Sequence, residues 1–216
     1  MSASSTSVQF TGKAGIVDCI LDIPTAHPRG WALILHPHPL HGGTRDNKVV
    51  TTLAKACQQQ GLATLRPNFR GIGHSAGEFD HARGETQDML AVLEQFRERY
   101  PELARLPWAM GGFSFGTAVA ARVYSALAPE DRPRMLALAG AAVSRFIDEG
   151  QIVTVPDDTL LVHGESDDVV PLDEAMAYAR SASLPIVVIP DASHFFHGKL
   201  IALRHIVQLR LQAAFP

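Results

Sequence analysis

The sequence contains few cysteines, and this shortage excludes one class of function. Cys19 and Cys57 are the only two in 216 residues, and they lie far apart in apolar segments. That placement is typical of buried thiols in a reducing compartment and does not indicate a disulfide framework. We therefore expect neither a stabilising disulfide nor a redox function.

An excess of one charge and long apolar runs are also missing. The 19 Lys and Arg residues are scattered and face 22 Asp and Glu residues, which leaves a formal net charge of −3 and makes nucleic acid an unlikely partner. No apolar stretch approaches the roughly 18 residues of a membrane-spanning helix, so membrane insertion is not expected. The first residues, MSASSTSVQF, do not resemble a secretory signal. The sequence therefore predicts a cytoplasmic protein.

The main positive signal is an alternation of two kinds of segment. Apolar runs rich in β-branched residues alternate with longer amphipathic segments, and Gly or Pro lies at nearly every junction. This pattern predicts one α/β domain over residues 1–216, with a mostly parallel sheet of about eight strands and helices on both faces. The Ser/Thr-rich residues 1–7 are expected to be a frayed end. The predicted strands are Val8–Phe10, Gly15–Ile23, WALILH, LATLRP, WAMGGF, MLALAG, TLLVHG and PIVVIP.

The helices between these strands have recognisable ends. The first is expected to begin after Asp46 or Asn47, whose side chains can accept backbone N–H bonds, and to stop before Gly61. The others are expected from about Glu85 to Pro101, in the small-residue segment GTAVAARVY, and at Asp173–Ser181 and Lys199–Ala214.

The segment GGFSFG contains the pattern G-x-S-x-G, with Ser114 between Gly112 and Gly116. It lies between a predicted strand and a predicted buried helix. A serine on such a sharp turn needs glycine on both sides because neighbouring backbone approaches closely, and its Oγ then projects beyond the carboxyl edge of the sheet. The pattern predicts a nucleophile, against the alternative of a glycine-rich turn with an incidental serine.

A serine nucleophile requires a histidine base that a carboxylate orients. Asp167 and Asp168 follow the strand TLLVHG, and His194 follows the strand PIVVIP. Both strand ends lie where α/β folds assemble their sites. The residues therefore predict a triad of Ser114, one of the two aspartates, and His194.

Five segments resemble the α/β-hydrolase superfamily, specifically its small bacterial serine hydrolases without a lid domain, and the resemblance spans nearly the whole chain. They are HPHPLHGGTRDNKVV, RPNFRGIGHSAGEFD, GGFSFGTAVA, HGESDDVVP and ASHFF. The resemblance implies an α/β-hydrolase fold without a cap domain. In the family pattern H-G-x-x-D-x-x-V-P the acid stands four residues after the histidine, which implies Asp167. Dienelactone hydrolases share parts of this architecture but use a cysteine nucleophile, so Ser114 favours an esterase.

The resemblance also suggests a role for the loop after WALILH, which in this superfamily supplies one backbone N–H of the oxyanion hole. Phe115, next to the nucleophile, is expected to supply the other. Because Pro37 and Pro39 have no N–H, His38 and Leu40 are the candidate donors in this loop, with His38 preferred. The two prolines are expected to hold the loop extended.

Three histidines in the same loop raise the alternative of a metal site. His36, His38 and His41 would have to converge, but an extended H-P-H segment directs alternate side chains to opposite sides. We therefore expect no metal and no organic cofactor, and we expect His36 and His41 to be packed, hydrogen-bonded loop residues. His163 and His197 are expected to support the site and not to act as bases.

These features together predict a serine hydrolase that cleaves small carboxylic esters through an acyl-enzyme. Only about twenty residues separate Leu138 from Thr159, too few for a separately packed cap, so the cleft is expected to be open and to favour short acyl chains. A peptidase or an acyltransferase would use the same residues. A non-catalytic binding scaffold is the alternative from another class.

Overall fold

A computed structural model describes residues 3–148 and 150–216 as one α/β fold. The strands are Ala3–Gly12 (β1), Gly15–Pro24 (β2), Gly30–Leu35 (β3), Leu62–Pro67 (β4), Trp108–Phe113 (β5), Met135–Ala139 (β6), Leu160–Gly164 (β7) and Ile186–Ile189 (β8). The helices are Lys48–Gln59 (α1), Arg83–Arg99 (α2), Pro101–Ala104 (α3), Phe115–Ala126 (α4), Leu172–Ser181 (α5) and Leu200–Ala214 (α6). Short 3₁₀ turns lie at Pro39–His41, Pro129–Asp131 and Val143–Phe146.

All eight strands form one sheet in the order β1-β2-β4-β3-β5-β6-β7-β8. β1 and β2 pair antiparallel at one edge, β2 pairs antiparallel with β4, and the remaining neighbours are parallel. The parallel strands all end at the same edge of the sheet, so the loops that follow β3, β5, β7 and β8 lie on one side of the molecule. The predicted mostly parallel sheet is confirmed.

Helices cover both faces of the sheet and bury two apolar clusters. On one face α2 packs against α4, and buried side chains such as Phe96 and Leu138 fill the space beneath them. On the other face α1 packs against α6 over Ile34, Phe113 and Leu203. Burying each large apolar side chain contributes about 1.5–3 kcal/mol, so these two layers hold the strand ends in place.

The first residues differ from the sequence expectation. Residues 1–7 were expected to fray, but β1 begins at Ala3 and pairs with β2 in a continuous antiparallel register from Ala3 opposite Pro24. The hydroxyl of Ser5 also donates to Asp22 Oδ1 at 2.6 Å. Backbone pairing along β2 supplies hydrogen bonds that the Ser/Thr-rich composition did not reveal. Residues 1 and 2 lie outside the described residues.

The helix ends follow the predicted signals closely. Asn47 caps α1, with its Oδ1 accepting the Val49 N–H at 2.9 Å, and the helix stops before Gly61, whose φ is 77°. α2 begins at Arg83, two residues before the expected Glu85. The reason is that Glu85 lies in the first turn and accepts the Asp80 N–H at 2.8 Å, which anchors the preceding loop.

Within residues 3–148 and 150–216 no cap domain is inserted into the fold. The connection from β6 to β7 contains one 3₁₀ turn, Val143–Phe146, within the described residues. The carboxyl edge of the sheet is therefore left open, as predicted. In the part of the chain that the structure describes, no helix has the length and apolar character to cross a membrane.

Candidate active site

Ser114 lies on a strained turn between β5 and α4. Its φ of 53° and ψ of −122° place it outside the regions that L-residues normally occupy, and its N–H donates to Ala139 O at 3.0 Å. A Cβ on Gly112 would lie 2.3 Å from Gly116 O, and a Cβ on Gly116 would lie 2.6 Å from His36 O. Both glycines are therefore required by close backbone approach, as the G-x-S-x-G pattern predicted.

Thr117 is a buried residue that stabilises this turn. The sequence pattern did not single it out. Its buried hydroxyl donates to Ser114 O at 2.5 Å and accepts the Ala142 N–H at 3.0 Å. The hydroxyl thus ties the serine turn to the loop after β6. A Ser or Thr three residues after a predicted nucleophile at the start of a buried helix was the available signal.

His194 lies between Ser114 and Asp167. Its Nε2 is 2.9 Å from Ser114 Oγ, and its Nδ1 is 2.7 Å from Asp167 Oδ2. Since the carboxylate can only accept, Nδ1 carries the proton and Nε2 is left to accept the serine proton. The three residues that the sequence proposed from three separate strand ends thus form one hydrogen-bonded chain.

Asp167 occupies the position facing His194, and Asp168 does not. Asp167 is 6% exposed, whereas Asp168 is exposed to solvent. The other oxygen of Asp167, Oδ1, accepts the N–H groups of Val169 at 3.0 Å and Val170 at 2.8 Å, in a turn closed by its own side chain. Burial alone would raise the pKa of Asp167, but the hydrogen bonds from His194 and Val170 outweigh it and lower that pKa.

Of the two histidines expected to support the site, only His163 contacts the aspartate. His163 is fully buried, and its Nε2 lies 2.9 Å from Val170 O and 3.3 Å from Asp167 Oδ2. Burial lowers its pKa, which favours the neutral ring. His197 is exposed, and its Nδ1 lies 3.5 Å from Ser193 Oγ.

The loop after β3 turns more sharply than expected. His36 is fully buried, donates from Nδ1 to Pro37 O at 2.7 Å and accepts the Phe69 N–H at 2.8 Å, so its packed, hydrogen-bonded position is confirmed. The chain then forms a 3₁₀ turn over Pro39–His41 and is not extended there. Pro39 is the reason, because its fixed φ suits the first position of a turn.

The expectation that His41 is packed and hydrogen-bonded is only partly confirmed, because this residue is exposed to solvent. Its ring stacks on that of His38, with centroids 4.4 Å apart and an interplanar angle of 18°. The turn brings these two rings to the same side, while His36 points into the core. In the described residues, no three His, Cys, Asp or Glu side chains form a group that could hold a metal ion.

The backbone N–H groups of Phe115 and His38, two of the three candidates from the sequence, have no acceptor among the described residues. The Leu40 N–H is engaged, because it donates to His38 Nδ1 at 3.2 Å. The rings of His38 and Phe115 are 5.3 Å apart, so the two free donors belong to neighbouring residues. Of the two candidate donors in this loop, the structure therefore leaves the His38 N–H free and engages that of Leu40.

Ser114, His194 and His38 line a cleft of about 180 Å³. Val169 and Phe195 are apolar side chains of its lining, 43% and 40% exposed. The sequence patterns assigned no role to either side chain. The lining residues are Pro37, His38, His41, Gly42, Gly43, Asn47, Ser114, Val169, His194 and Phe195.

Similar proteins carry the same architecture. A sequence model of the family described as serine aminopeptidase, S33, matches residues 38–147. The crystal structure of XC6422 from Xanthomonas campestris, described as an a/b serine hydrolase without lid, is 32% identical, with a TM-score of 0.87 over 100% of this chain and 97% of its own.

Two further relatives come from other bacteria. An alpha-beta serine hydrolase homologue from Coxiella burnetii is 34% identical, with a TM-score of 0.80 over 95% of this chain and 97% of its own. The uncharacterized protein RP471 of Rickettsia prowazekii is 29% identical over 199 residues, which cover 89% of this chain and 82% of that protein.

Proposed function

The chain is a serine hydrolase that belongs to the family described as serine aminopeptidase, S33, and from this premise we propose that it hydrolyses small carboxylic esters through an acyl-enzyme on Ser114. The observation that carries the proposal is the hydrogen-bonded chain from Ser114 Oγ through His194 to Asp167, with distances of 2.9 and 2.7 Å. No metal or organic cofactor is needed for this chemistry.

In the first step Ser114 Oγ attacks the ester carbonyl carbon while its proton passes to His194 Nε2. The imidazole becomes a cation, and the ionised Asp167 beside Nδ1 stabilises that charge. The lowered pKa of Asp167 supports this role, because the carboxylate stays charged at neutral pH. The carbonyl oxygen takes on negative charge in the tetrahedral intermediate.

That oxygen is held by the N–H groups of Phe115 and His38. Each such donor is worth about 10²–10³ in kcat when it is already oriented before charge develops. The intermediate then collapses, the carbon–oxygen bond to the alcohol breaks, and His194 Nε2 returns the proton to the departing oxygen. Water activated by the same nitrogen later attacks the acyl carbon and releases the acid and Ser114.

The cleft supports an ester substrate better than an aminopeptidase substrate. A peptide N-terminus carries a protonated amine, which is best recognised by a carboxylate. The described residues that line the cleft include no Asp or Glu, and Asp167 is occupied by His194. The apolar side chains of Val169 and Phe195 instead offer contacts to an uncharged acyl or alcohol group.

The test combines covalent labelling with a substrate panel. A fluorophosphonate is expected to label Ser114 in the unsubstituted chain and not in Ser114→Ala, and p-nitrophenyl acetate is expected to be cleaved faster than amino-acid p-nitroanilides. Absence of labelling would favour a binding scaffold. Faster cleavage of the anilides would favour a peptidase, and transfer of the acyl group to an added alcohol in excess of hydrolysis would favour an acyltransferase.

We also propose a cytoplasmic location. Cys19 and Cys57 are both free and buried, and burial raises the pKa of Cys57 to about 12, so this thiol is unreactive. Two unpaired thiols are typical of proteins in a reducing compartment. Fractionation of the native cell with an antibody against the chain tests this location.

A further inference from the structure

We propose that the side chain of His38 is a positioning residue for the oxyanion hole: its Nδ1 holds the Leu40 N–H so that the His38 N–H stays free for the substrate oxygen. This inference rests on the proposed function, and it adds a role for the imidazole to the role of the His38 backbone. It assigns the Leu40 N–H to His38 Nδ1 and the His38 N–H to the substrate oxygen.

The first support is the way the turn closes on His38. Its Nδ1 accepts the Leu40 N–H at 3.2 Å, and its carbonyl oxygen accepts the N–H groups of His41 at 3.1 Å and Gly43 at 3.0 Å. A Cβ on Gly43 would lie 2.2 Å from Pro37 O, so the chain can return this closely only with glycine. Three hydrogen bonds therefore determine the backbone orientation at His38.

The second support is the packing of the ring. The His38 ring lies 4.5 Å from that of Phe79 and 5.3 Å from that of Phe115, and it stacks on His41 at 4.4 Å. Phe115 supplies the other donor of the proposed oxyanion hole. The imidazole thus belongs to the residue of one donor and packs against the residue of the other. Its packing sets the position of the His38 N–H relative to the Phe115 N–H.

The third support is the distribution of hydrogen-bond donors. Because Nδ1 accepts a hydrogen bond, the neutral ring must carry its proton on Nε2. Burial, with His41 and His81 nearby, lowers the pKa of His38, which keeps this neutral form. If the Leu40 N–H were to bind the substrate oxygen instead, Nδ1 would lose its donor during every turnover.

Two substitutions at position 38 separate the acceptor from the ring. His38→Asn keeps an acceptor that can bind the N–H two residues ahead, as asparagine does in Asx turns. His38→Phe keeps a flat ring for packing and removes the acceptor. His205→Asn and His205→Phe, on the exposed face of α6, are matched controls far from the cleft.

For p-nitrophenyl acetate we expect His38→Phe to lower kcat roughly tenfold to a hundredfold with KM within about twofold. His38→Asn should keep kcat within about threefold, and both His205 variants should match the unsubstituted chain. Equal kcat values for His38→Asn and His38→Phe, or a loss expressed only in KM, would overturn the proposal. Circular dichroism verifies that each variant is folded.

A second measurement does not depend on catalysis or on any variant. Nitrogen-15 NMR of the unsubstituted chain at neutral pH should show His38 with Nε2 protonated and Nδ1 unprotonated and hydrogen-bonded. The opposite tautomer would overturn the proposal. If the chain shows this tautomer and cleaves no ester, the proposed function fails while the hydrogen bond of His38 stands, so the two failures can be told apart.

Discussion

The two ends of β3 and β5 carry very different cavities. At their carboxyl ends lies the cleft of about 180 Å³ that contains Ser114 and His194. At their amino ends lies a larger cavity of about 290 Å³, next to Trp31 and Trp108. Among the described residues, that larger cavity is lined by no serine, cysteine or histidine. Cavity size therefore does not locate the chemistry in this molecule, whereas strand direction does.

The polar groups of the amino-end cavity are largely used in structural contacts. Arg97 pairs with Asp131 at 3.1 Å, and the Trp108 indole N–H donates to Asp131 O at 3.1 Å. Trp31 stacks on Trp108 with ring centroids 4.7 Å apart. These contacts join the amino end of β5 to α2 and to the turn at Pro129–Asp131. At the carboxyl end the loops instead leave Ser114, His194 and His38 lining the cleft.

The largest effect is expected for Ser114→Ala, at the carboxyl end of the sheet. We expect kcat/KM for p-nitrophenyl acetate to fall by about 10⁴-fold or more, because no other side chain replaces the nucleophile. The melting temperature should stay nearly unchanged, since a small Oγ contributes little packing. Arg134→Gln, at the amino-end cavity, is the control and should keep full activity. Activity of the alanine variant above about a hundredth of the original would place the nucleophile elsewhere.

The next largest effect should separate two adjacent residues within the carboxyl edge. Asp167→Asn should lower kcat by about a thousandfold, because the amide disturbs the tautomer of His194 and cannot stabilise its cation. Asp168→Asn should cost less than about tenfold, since this side chain is solvent-exposed. Steady-state kinetics of both variants, measured side by side, provide the comparison, and the reverse ranking would transfer the role to Asp168.

The open carboxyl edge should also limit substrate size. Among p-nitrophenyl esters, kcat/KM should peak at acyl chains of about two to six carbons and fall about tenfold by ten carbons, because no cap encloses a longer chain. A maximum at ten or more carbons would mean that a wall forms when substrate binds. Val169→Ala and Phe195→Ala would then show whether these exposed side chains form it.

His36, next to the carboxyl end of β3, should affect the pH dependence of stability and not catalysis. Burial lowers the pKa of His36 to about 3. Below the ordinary value of about 6.5 the unfolded chain binds a proton that the folded chain does not, so stability is full above this pH and falls toward pH 3. The loss is at most about 1.4 kcal/mol per pH unit. Urea unfolding at pH 7.5 and 5.5 should show a smaller difference in His36→Gln, and equal differences would contradict this.

The smallest effect is expected at the amino-end cavity. Arg97→Gln removes the ion pair with Asp131, whose partners are 34% and 42% exposed, so the free energy of unfolding should fall by no more than about 1 kcal/mol. Activity should remain within about twofold. A large loss of activity in a stable variant would show that the two ends of the sheet are coupled. It would contradict the view that the amino-end cavity has only a structural role.

Local sequence patterns determined most of the fold and the identity of the reacting groups. Alternating apolar runs and helix ends predicted eight strands because each pattern depends only on nearby residues. The G-x-S-x-G segment predicted the turn at Ser114 because the close approach at Gly112 occurs within the turn itself, against Gly116 O. The chain order of serine, aspartate and histidine then pointed to the residues that the fold brings together.

Tertiary structure decided the features that depend on distant partners. Ala3–Ser7 belong to a strand because β2 pairs with them. Their Ser/Thr-rich composition does not predict this pairing. Thr117 became visible as a support only when Ala142 was brought to its hydroxyl. In each case the deciding contact joins backbone or side chains whose positions are set by the sheet and not by the local sequence.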